Sequence, residues 1–253
     1  MLAIITGASG GFGHGFAHKC AEAGIDCVLV ARSEQRLHDL AATLRDRYNV
    51  KADVVVLDLG VPGAARELFA CVPSCDVLIN NAGFASSGAF DKVEEQRLLE
   101  EIQVDVATLT HLTHLYLPGM LARKNGRILN VASTAAFLPG PFMAVYYACK
   151  AYVLSFSQAL SEEMRGKSVT VTCLAPGATA GTGFEVRANV AKTRLFRIQR
   201  RNTVESVVNA GFDGMMKGKD LVVPGLMNKL AAISPRVTPR RLLIRMSRKL
   251  IES

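Results

Sequence analysis

Tryptophan is absent from this sequence of 253 residues, and aromatic residues together make up only 6% of it. No apolar run reaches the ~18 residues that a membrane-spanning helix needs. The chain starts on the strand-like segment LAIIT, without the basic region and cleavage site of a secretory signal. We therefore expect a cytoplasmic protein, and a hydrophobic content of 49% suits one large domain spanning residues 1–253.

Cysteine is scarce, and its six copies are scattered through mostly apolar segments. This distribution is typical of reduced, buried thiols rather than of a disulfide framework. Cys71 and Cys75 have the spacing of a metal-binding pair, but no second pair or nearby histidine completes four ligands. We expect neither disulfide bonds nor a metal site.

Acidic residues are scarce in the last quarter of the chain. From Arg187 to Ser253 there are 15 lysines and arginines against 4 aspartates and glutamates, and the whole chain carries a net charge of +8. The basicity therefore belongs to the C-terminal quarter. No recognition motif accompanies it, so we expect no nucleic-acid binding.

Short apolar segments alternate with helical patterns along the chain. These segments are continuous rather than alternating in hydrophobicity, which is typical of parallel strands covered on both faces. The sequence predicts an α/β fold of the Rossmann type, doubly wound, with helices on both faces of a mostly parallel sheet. The predicted strands are 2–6, 26–31, 54–57, 77–79, 128–131, 169–174 and 221–223, and the predicted helices are 16–23, 33–47, 62 onward, 94–123, 146–164, 203–217 and 239 onward.

A glycine-rich turn connects the first predicted strand to the first helix. Gly7, Gly11 and Gly13 let backbone amides and the helix N-terminus approach a diphosphate without obstruction by Cβ atoms. The strict G-x-G-x-x-G spacing is not met, because Phe16 occupies its last position. A phosphate cradle and a turn without a ligand are both compatible with this pattern.

Three further motifs follow the next predicted strands. Arg32 stands where a fold that selects NAD carries a carboxylate, and a guanidinium there pairs with a 2′-phosphate, so we infer NADP. The alternative is a solvated arginine at a helix start. Asp58 is placed for the adenine edge, and Asn81, Ala82 and Gly83 let the backbone pass close to the ribose.

Tyr146 and Lys150 lie one helical turn apart, shortly after Ser133 at the end of a predicted strand. A tyrosine with a pKa near ~10 needs a neighbouring positive charge to lower that pKa by ~3 units before it exchanges protons at neutral pH. A serine hydroxyl can then hydrogen-bond the oxygen that gains or loses the proton. The same spacing is also found on ordinary amphipathic helices.

Taken together and in order, these motifs resemble those of the short-chain dehydrogenase/reductase family, over nearly the whole chain. They are T-G-x-x-x-G-x-G at 6–13, D-L at Asp58-Leu59, N-N-A-G at 80–83, Ser133, Y-x-x-x-K at 146–150 and P-G at Pro176-Gly177.

The resemblance implies a seven-stranded doubly wound sheet and reversible hydride transfer between a nicotinamide and a carbonyl compound. It makes Tyr146 the general acid in reduction, Lys150 the group that lowers its pKa, and Ser133 the hydroxyl that polarises the carbonyl; Tyr147 lacks the family register. It also implies a homodimer or homotetramer formed through the long helix and the Tyr146 helix. The predicted cofactor site comprises Gly7, Ser9, Gly11, Phe12, Gly13, Arg32, Asp58, Leu59, Asn81, Ala82, Gly83, Tyr146, Lys150, Pro176, Gly177 and Thr179.

One position departs from the family pattern. Asp105 occupies the register of an asparagine that in the family holds a water beside the lysine. A carboxylate can still hold that water and pair with Lys150, but its charge partly cancels the effect of the lysine on Tyr146. Both a proton-relay role and a structural role remain open for Asp105.

The variable substrate region is expected at 178–217, and its first part, 178–202, has no clear strand. Its apolar residues predict a hydrophobic ketone, aldehyde or secondary alcohol as substrate, and its arginines either hold an anionic tail or form a solvated face. The apolar residues are Phe184, Val186, Leu195, Phe196 and Ile198, and the arginines are Arg194, Arg197, Arg200 and Arg201.

The last segment, 226–253, is predicted to be a basic amphipathic extension. Its final helix carries an apolar stripe of Leu242, Leu243, Met246 and Leu250 beside a basic stripe. Such a helix contacts an anionic membrane through 239–251, or packs on its own domain or a partner subunit. The rival function is a catalytically weak nucleotide-binding or membrane-associated regulatory protein that retains the fold.

Overall fold

The computed structural model describes residues 1–188, 190, 193 and 202–251, and its centre is a parallel sheet of seven strands. The sheet order is β3-β2-β1-β4-β5-β6-β9, and all six neighbouring pairs are parallel. The strands are β1 Leu2–Thr6, β2 Asp26–Ala31, β3 Ala52–Val56, β4 Val77–Asn80, β5 Gly126–Val131, β6 Val169–Leu174 and β9 Leu221–Val222.

Helices cover both faces of this sheet, which confirms the predicted Rossmann-type α/β fold. The direction of strand addition reverses between β1 and β4, and ligands bind at such a reversal beyond the carboxyl ends of the strands. The helices are α1 Gly11–Glu22, α2 Glu34–Tyr48, α3 Ala64–Cys71, α4 Glu95–Ile102, α5 Leu109–Ala122, α6 Ala144–Glu163, α7 Phe184–Arg187, α8 Val204–Met216, α9 Leu226–Ile233 and α10 Arg240–Ile251.

Two hydrophobic cores hold these layers together, one on each face of the sheet. Phe16 of α1 and Leu44 of α2 are fully buried on one face, and Leu68 of α3 and Met120 of α5 on the other. Full burial of one such side chain stabilises the fold by roughly 1.5–3 kcal/mol. All four residues of β4 are buried, which explains why the strands are continuously apolar.

Several predicted boundaries were wrong, each for a local reason. Helix α1 begins at Gly11, earlier than predicted, because the glycine turn, in which Gly11 has a positive φ of 54°, runs into the helix without an intervening loop. The predicted long helical region 94–123 is confirmed as a continuous run, in which the π-helical segment Gln103–Thr108 joins α4 to α5. Residues 178–202 contain a strand after all, because β7, Thr179–Ala180, pairs in parallel with β8, Asn202–Thr203.

Among the described residues, no helix combines the length and hydrophobicity needed to cross a bilayer. All six cysteines are free, and five of them are buried. The same residues contain no cluster of three or more histidine, cysteine, aspartate or glutamate side chains arranged to hold a metal ion.

Candidate active site

A cleft of about 610 Å³ lies at the carboxyl ends of the strands, at the reversal between β1 and β4. It brings together the glycine turn, the motifs after the next strands, and Ser133, Tyr146 and Lys150. Of the predicted catalytic and cofactor-binding residues, only Gly13 and Asp105 are absent from its lining. Motifs spread from residue 7 to residue 179 therefore share one surface.

The glycine turn is shaped by close backbone contacts. A Cβ on Gly13 would lie 2.2 Å from the carbonyl oxygen of Gly7, so this position accepts only glycine. Gly13 packs beneath the turn and does not line the cleft, and its expected contact with the cofactor stays a prediction. Asn81 holds the turn from the other side, since its Nδ2 donates to the Thr6 carbonyl at 2.8 Å. Gly11 and Phe12 at the start of α1 line the cleft, and the amides of a helix N-terminus suit a diphosphate.

The opposite end of the cleft is cationic. Arg32 Nη1 lies 3.4 Å from Asp58 Oδ2, and the Arg32 side chain is 73% exposed. Asp58 Oδ1 accepts the Gly60 amide at 2.9 Å. Arg36, one turn along α2, also lines the cleft. The sequence argument missed Arg36, although its i+4 spacing from Arg32 was available as a signal.

Ser133, Tyr146 and Lys150 converge at the centre of the cleft. Ser133 follows β5, and its Oγ accepts the Ala135 amide at 3.1 Å, which fixes its orientation. Lys150 Nζ lies 5.6 Å from the ring centroid of Tyr146 and donates to the Val131 carbonyl at 3.2 Å. The strand end and one helix face thus place a hydroxyl, a phenol and an ammonium together.

The pKa of Tyr146 departs from the sequence-based expectation. Burial raises it above the ordinary value, and this effect outweighs the lowering by the charge of Lys150 and by hydrogen bonding to Ser133. Asp105 and Glu101 raise the pKa further. The expected direction of the Lys150 effect is present, but burial dominates because a phenolate loses most of its hydration here.

Asp105 lies behind the cleft, in the π-helical segment, and is 1% exposed. Its Oδ1 accepts a hydrogen bond from Lys150 Nζ at 3.0 Å. Burial raises the pKa of Asp105, against the opposing effect of Lys150. A Cβ on Gly83 would lie 2.1 Å from Asp105 Oδ1, so Gly83 leaves the space that this ion pair occupies.

Glu101, one turn before Asp105, was not predicted from the sequence. It is fully buried, and its Oε2 accepts the Ser86 amide at 2.8 Å. Burial raises its pKa to about 7, and the charge of Asp105 adds to this effect, while Ser86 and Lys150 oppose it. In the sequence, Glu101 is one of four glutamates within eight residues, a pattern typical of an exposed helix.

The substrate side of the cleft is aromatic and aliphatic. Phe184 packs its ring 5.3 Å from that of Tyr146, and Tyr147 also lines the cleft as a largely buried aromatic residue. Val186 is 75% exposed and does not line the cleft. Leu195, Phe196, Ile198, Arg194, Arg197, Arg200 and Arg201 lie outside the described residues.

The C-terminal extension packs on its own domain, as one of the alternatives from the sequence predicted, and there it forms part of the cleft wall. Leu243 of α10 is buried against the cleft, while Met246 and Leu250 line its mouth and are 52% and 37% exposed. Leu242 is 50% exposed and is absent from the lining. The predicted apolar stripe is therefore divided between the cleft and the surface.

Comparison with known proteins agrees with this arrangement. Residues 1–193 match the family model described as short chain dehydrogenase. A very-long-chain 3-oxoacyl-CoA reductase of Laccaria bicolor is 37% identical over 67% of this chain and 52% of its own length. The human inactive hydroxysteroid dehydrogenase-like protein 1 is 31% identical over 69% of this chain and 54% of its own length. The chain thus spans about half the length of these two relatives.

A solved short-chain dehydrogenase from Sphingobium yanoikuyae, in complex with NADPH, superposes with a TM-score of 0.83. It is 31% identical, and the match covers 93% of this chain and 92% of that one. The family model matches three quarters of the chain, and the architecture is shared with this solved structure. This chain therefore belongs to the short chain dehydrogenase family.

Proposed function

We propose that this protein is an NADP(H)-dependent oxidoreductase that interconverts a hydrophobic ketone or aldehyde and the corresponding alcohol. The observation that carries the proposal is the convergence of Ser133, Tyr146 and Lys150 in the same cleft as the glycine turn. Consumption of NADPH with a panel of carbonyl compounds, compared between the wild type and Tyr146→Phe, tests it.

The glycine turn fits a dinucleotide, because a Cβ on Gly7 would lie 2.8 Å from Asn81 and side chains are thereby kept out of the cradle. When bound, the nicotinamide supplies or accepts the hydride. In reduction, the Tyr146 hydroxyl donates its proton to the carbonyl oxygen, and Ser133 donates a hydrogen bond to the same oxygen. Lys150 stabilises the phenolate that remains, as a positive charge 5.6 Å from the ring centroid.

The preference for NADP over NAD is supported by the two arginines at the far end of the cleft. Arg32 and Arg36 offer two guanidinium groups beside Ser33, and guanidinium groups bind phosphate through charge-assisted hydrogen bonds. Asp58 pairs with Arg32 at 3.4 Å, whereas Arg36 has no ion-pair partner among the described residues. The ratio of kcat/KM for NADPH and NADH measures this preference.

A long acyl chain is the substrate type that the cleft supports best. Phe184, Tyr147, Leu243, Met246 and Leu250 give the substrate side an apolar lining that continues to the mouth. The Laccaria relative is named for a 3-oxoacyl thioester, so such thioesters belong beside simple ketones in the substrate panel. If only short polar carbonyls react, the hydrophobic assignment is wrong.

Self-association is supported by an exposed apolar area on α4 and α6. Leu99, Ile102 and Tyr152 are 53%, 42% and 39% exposed, and Tyr152 stacks on Phe156 at a ring distance of 5.7 Å. We infer a homodimer or homotetramer that buries this area. Light scattering decides it, since a monomeric wild type contradicts the inference.

Contact with an anionic membrane surface is supported by α9 and α10. Leu226, Met227, Leu230 and Ile233 are each at least 54% exposed on α9. The neighbouring α10 is rich in exposed basic residues, and basic amphipathic segments bind anionic lipid. Contact with anionic lipid is compatible with a protein on the cytoplasmic side of a membrane. The packing of α10 against the cleft also supports a single domain over 1–253. Sedimentation with anionic but not neutral vesicles is the expected result.

The rival is a binding protein that keeps the fold without turnover. It is favoured by the raised pKa of Tyr146 and by the word inactive in the name of the human relative. The presence of Ser133, Tyr146 and Lys150 in one cleft weighs against it. Tight NADPH binding without turnover on any carbonyl compound would decide in its favour.

A further inference from the structure

Two buried carboxyl groups face one buried ammonium group behind the cleft. Glu101 and Asp105 are 0% and 1% exposed, and the side chain of Lys150 is 7% exposed. Among the described residues, Glu101 Oε1 and Asp105 Oδ2 have no hydrogen-bond partner, and neither does the hydroxyl of the neighbouring Ser86. This cluster of unpartnered oxygens is not explained by the reaction steps assigned above.

The charges in this cluster favour the state in which one of the two carboxyl groups is protonated and the other is ionised. Asp105 receives the hydrogen bond from Lys150, whereas Glu101, among the described residues, accepts a hydrogen bond only from the Ser86 amide. An ionised carboxylate without a paired charge is costly to bury. The pKa of about 7 for Glu101 agrees with a proton held there.

We propose that Glu101 holds a proton beside the Asp105–Lys150 pair and thereby controls how readily Tyr146 gives up its own proton. The inference rests on the proposed oxidoreductase function. With Glu101 neutral, Asp105 and Lys150 cancel; with Glu101 ionised, the cluster carries one negative charge, which opposes the phenolate of Tyr146. Glu101 touches neither the substrate nor the cofactor, so it is a positioning residue.

Among the described residues, four titratable groups interact electrostatically with Glu101. Asp105 lies on the continuous helical segment that follows α4, and Tyr146, Cys149 and Lys150 approach from α6. The proton transfer itself is unchanged: in alcohol oxidation, the substrate hydroxyl gives its proton to the Tyr146 phenolate oxygen. Glu101 changes only the proton affinity of that oxygen.

The pH dependence of alcohol oxidation in Glu101→Gln tests this effect. Glutamine keeps an oxygen for the Ser86 amide but never ionises. We expect the rising limb of kcat/KM, which follows formation of the Tyr146 phenolate, to move down by about one pH unit. The control is Glu95→Gln, which removes an exposed carboxylate from the same helix and should leave the rising limb at its wild-type position. A limb at the wild-type position in Glu101→Gln overturns the proposal.

Infrared spectroscopy of wild-type protein labelled with ¹³C-glutamate provides a readout that does not need turnover. Exposed glutamates are ionised at pH 6, so a labelled protonated-carboxyl band that persists there and disappears near neutral pH is expected, and Glu101→Gln should lack it. An absent band overturns this inference even if the enzyme is active. If the protein is inactive but keeps the band, the oxidoreductase proposal is contradicted instead. In that case, ultraviolet difference titration against Tyr146→Phe measures the pKa of Tyr146 directly and shows whether Glu101→Gln lowers it.

Discussion

Lys150 Nζ and Asp105 Oδ1 lie 3.0 Å apart, and the two side chains are 7% and 0% exposed. The cation beside the Tyr146 phenol is thus shared with a carboxylate at the position where the family carries a neutral asparagine. Asp105 therefore opposes the lowering of the Tyr146 pKa by Lys150. We expect the proton balance of this site to differ from that of an asparagine-bearing relative.

Replacing Asp105 with asparagine should lower the apparent pKa of Tyr146. The charge of Asp105 raises that pKa, so its removal moves the rising limb of alcohol oxidation to lower pH, by about one unit. The measurement is kcat/KM against pH. Asp91→Asn, an exposed carboxylate, serves as the control. An unchanged profile in Asp105→Asn would contradict the coupling.

Gly83→Ala should displace the ion pair. The new Cβ would lie 2.1 Å from Asp105 Oδ1 and 3.3 Å from Lys150 Nζ, so one of them must move. We expect a loss of roughly 1–3 kcal/mol in the free energy of unfolding together with a lower kcat/KM. Denaturant unfolding measures the first effect. Gly10→Ala, where nothing lies within 4 Å, should leave stability unchanged; equal losses in both variants would refute the steric account.

Arg36→Ala should weaken NADPH binding about tenfold or more, because a charge-assisted hydrogen bond contributes roughly 1.5–3 kcal/mol. NADH lacks the 2′-phosphate, so its affinity serves as the internal control and should stay the same. Fluorescence titration with both nucleotides gives the two dissociation constants. A parallel loss for NADH would show that Arg36 acts on the fold or the adenosine rather than on the phosphate.

Glu101 should make the wild type less stable as the pH rises. Its pKa is about 7 in the folded protein against 4.5 ordinarily, so the folded state binds the proton more tightly than the unfolded state. The free energy of unfolding therefore falls between about pH 4.5 and 7, by about 3 kcal/mol, and stays level above. Urea unfolding across this range should show the fall in the wild type and its loss in Glu101→Gln. If the free energies of unfolding of the two proteins differ by a constant amount across this pH range, Glu101 is ionised throughout the range.

The strands and the cleft were predictable because they depend on local pattern. Strands β2 and β6 have the predicted bounds, since a continuous apolar run between turn signals identifies a buried parallel strand. Ser133, Tyr146 and Lys150 line one cleft, because a strand end and an i,i+4 spacing determine their positions. Their catalytic roles stay predictions.

The burial of charged groups was not predictable in the same way. Glu101 lies in a polar helix, and its burial follows from the packing of α4 against α6. Likewise, the net pKa of Tyr146 depends on desolvation by residues far apart in the chain. The place of α10 in the cleft wall also depends on tertiary contacts, because its apolar residues alone do not distinguish a cleft from a surface.

NADPH consumption with a panel of ketones, aldehydes and 3-oxoacyl thioesters tests the central claim most directly. The wild type should oxidise NADPH with at least one apolar carbonyl compound. Tyr146→Phe should lose about 10²-fold or more of kcat/KM while it still binds NADPH, because only the proton donor is removed. Tight NADPH binding by the wild type without turnover on any compound, or wild-type activity in Tyr146→Phe, would contradict the account.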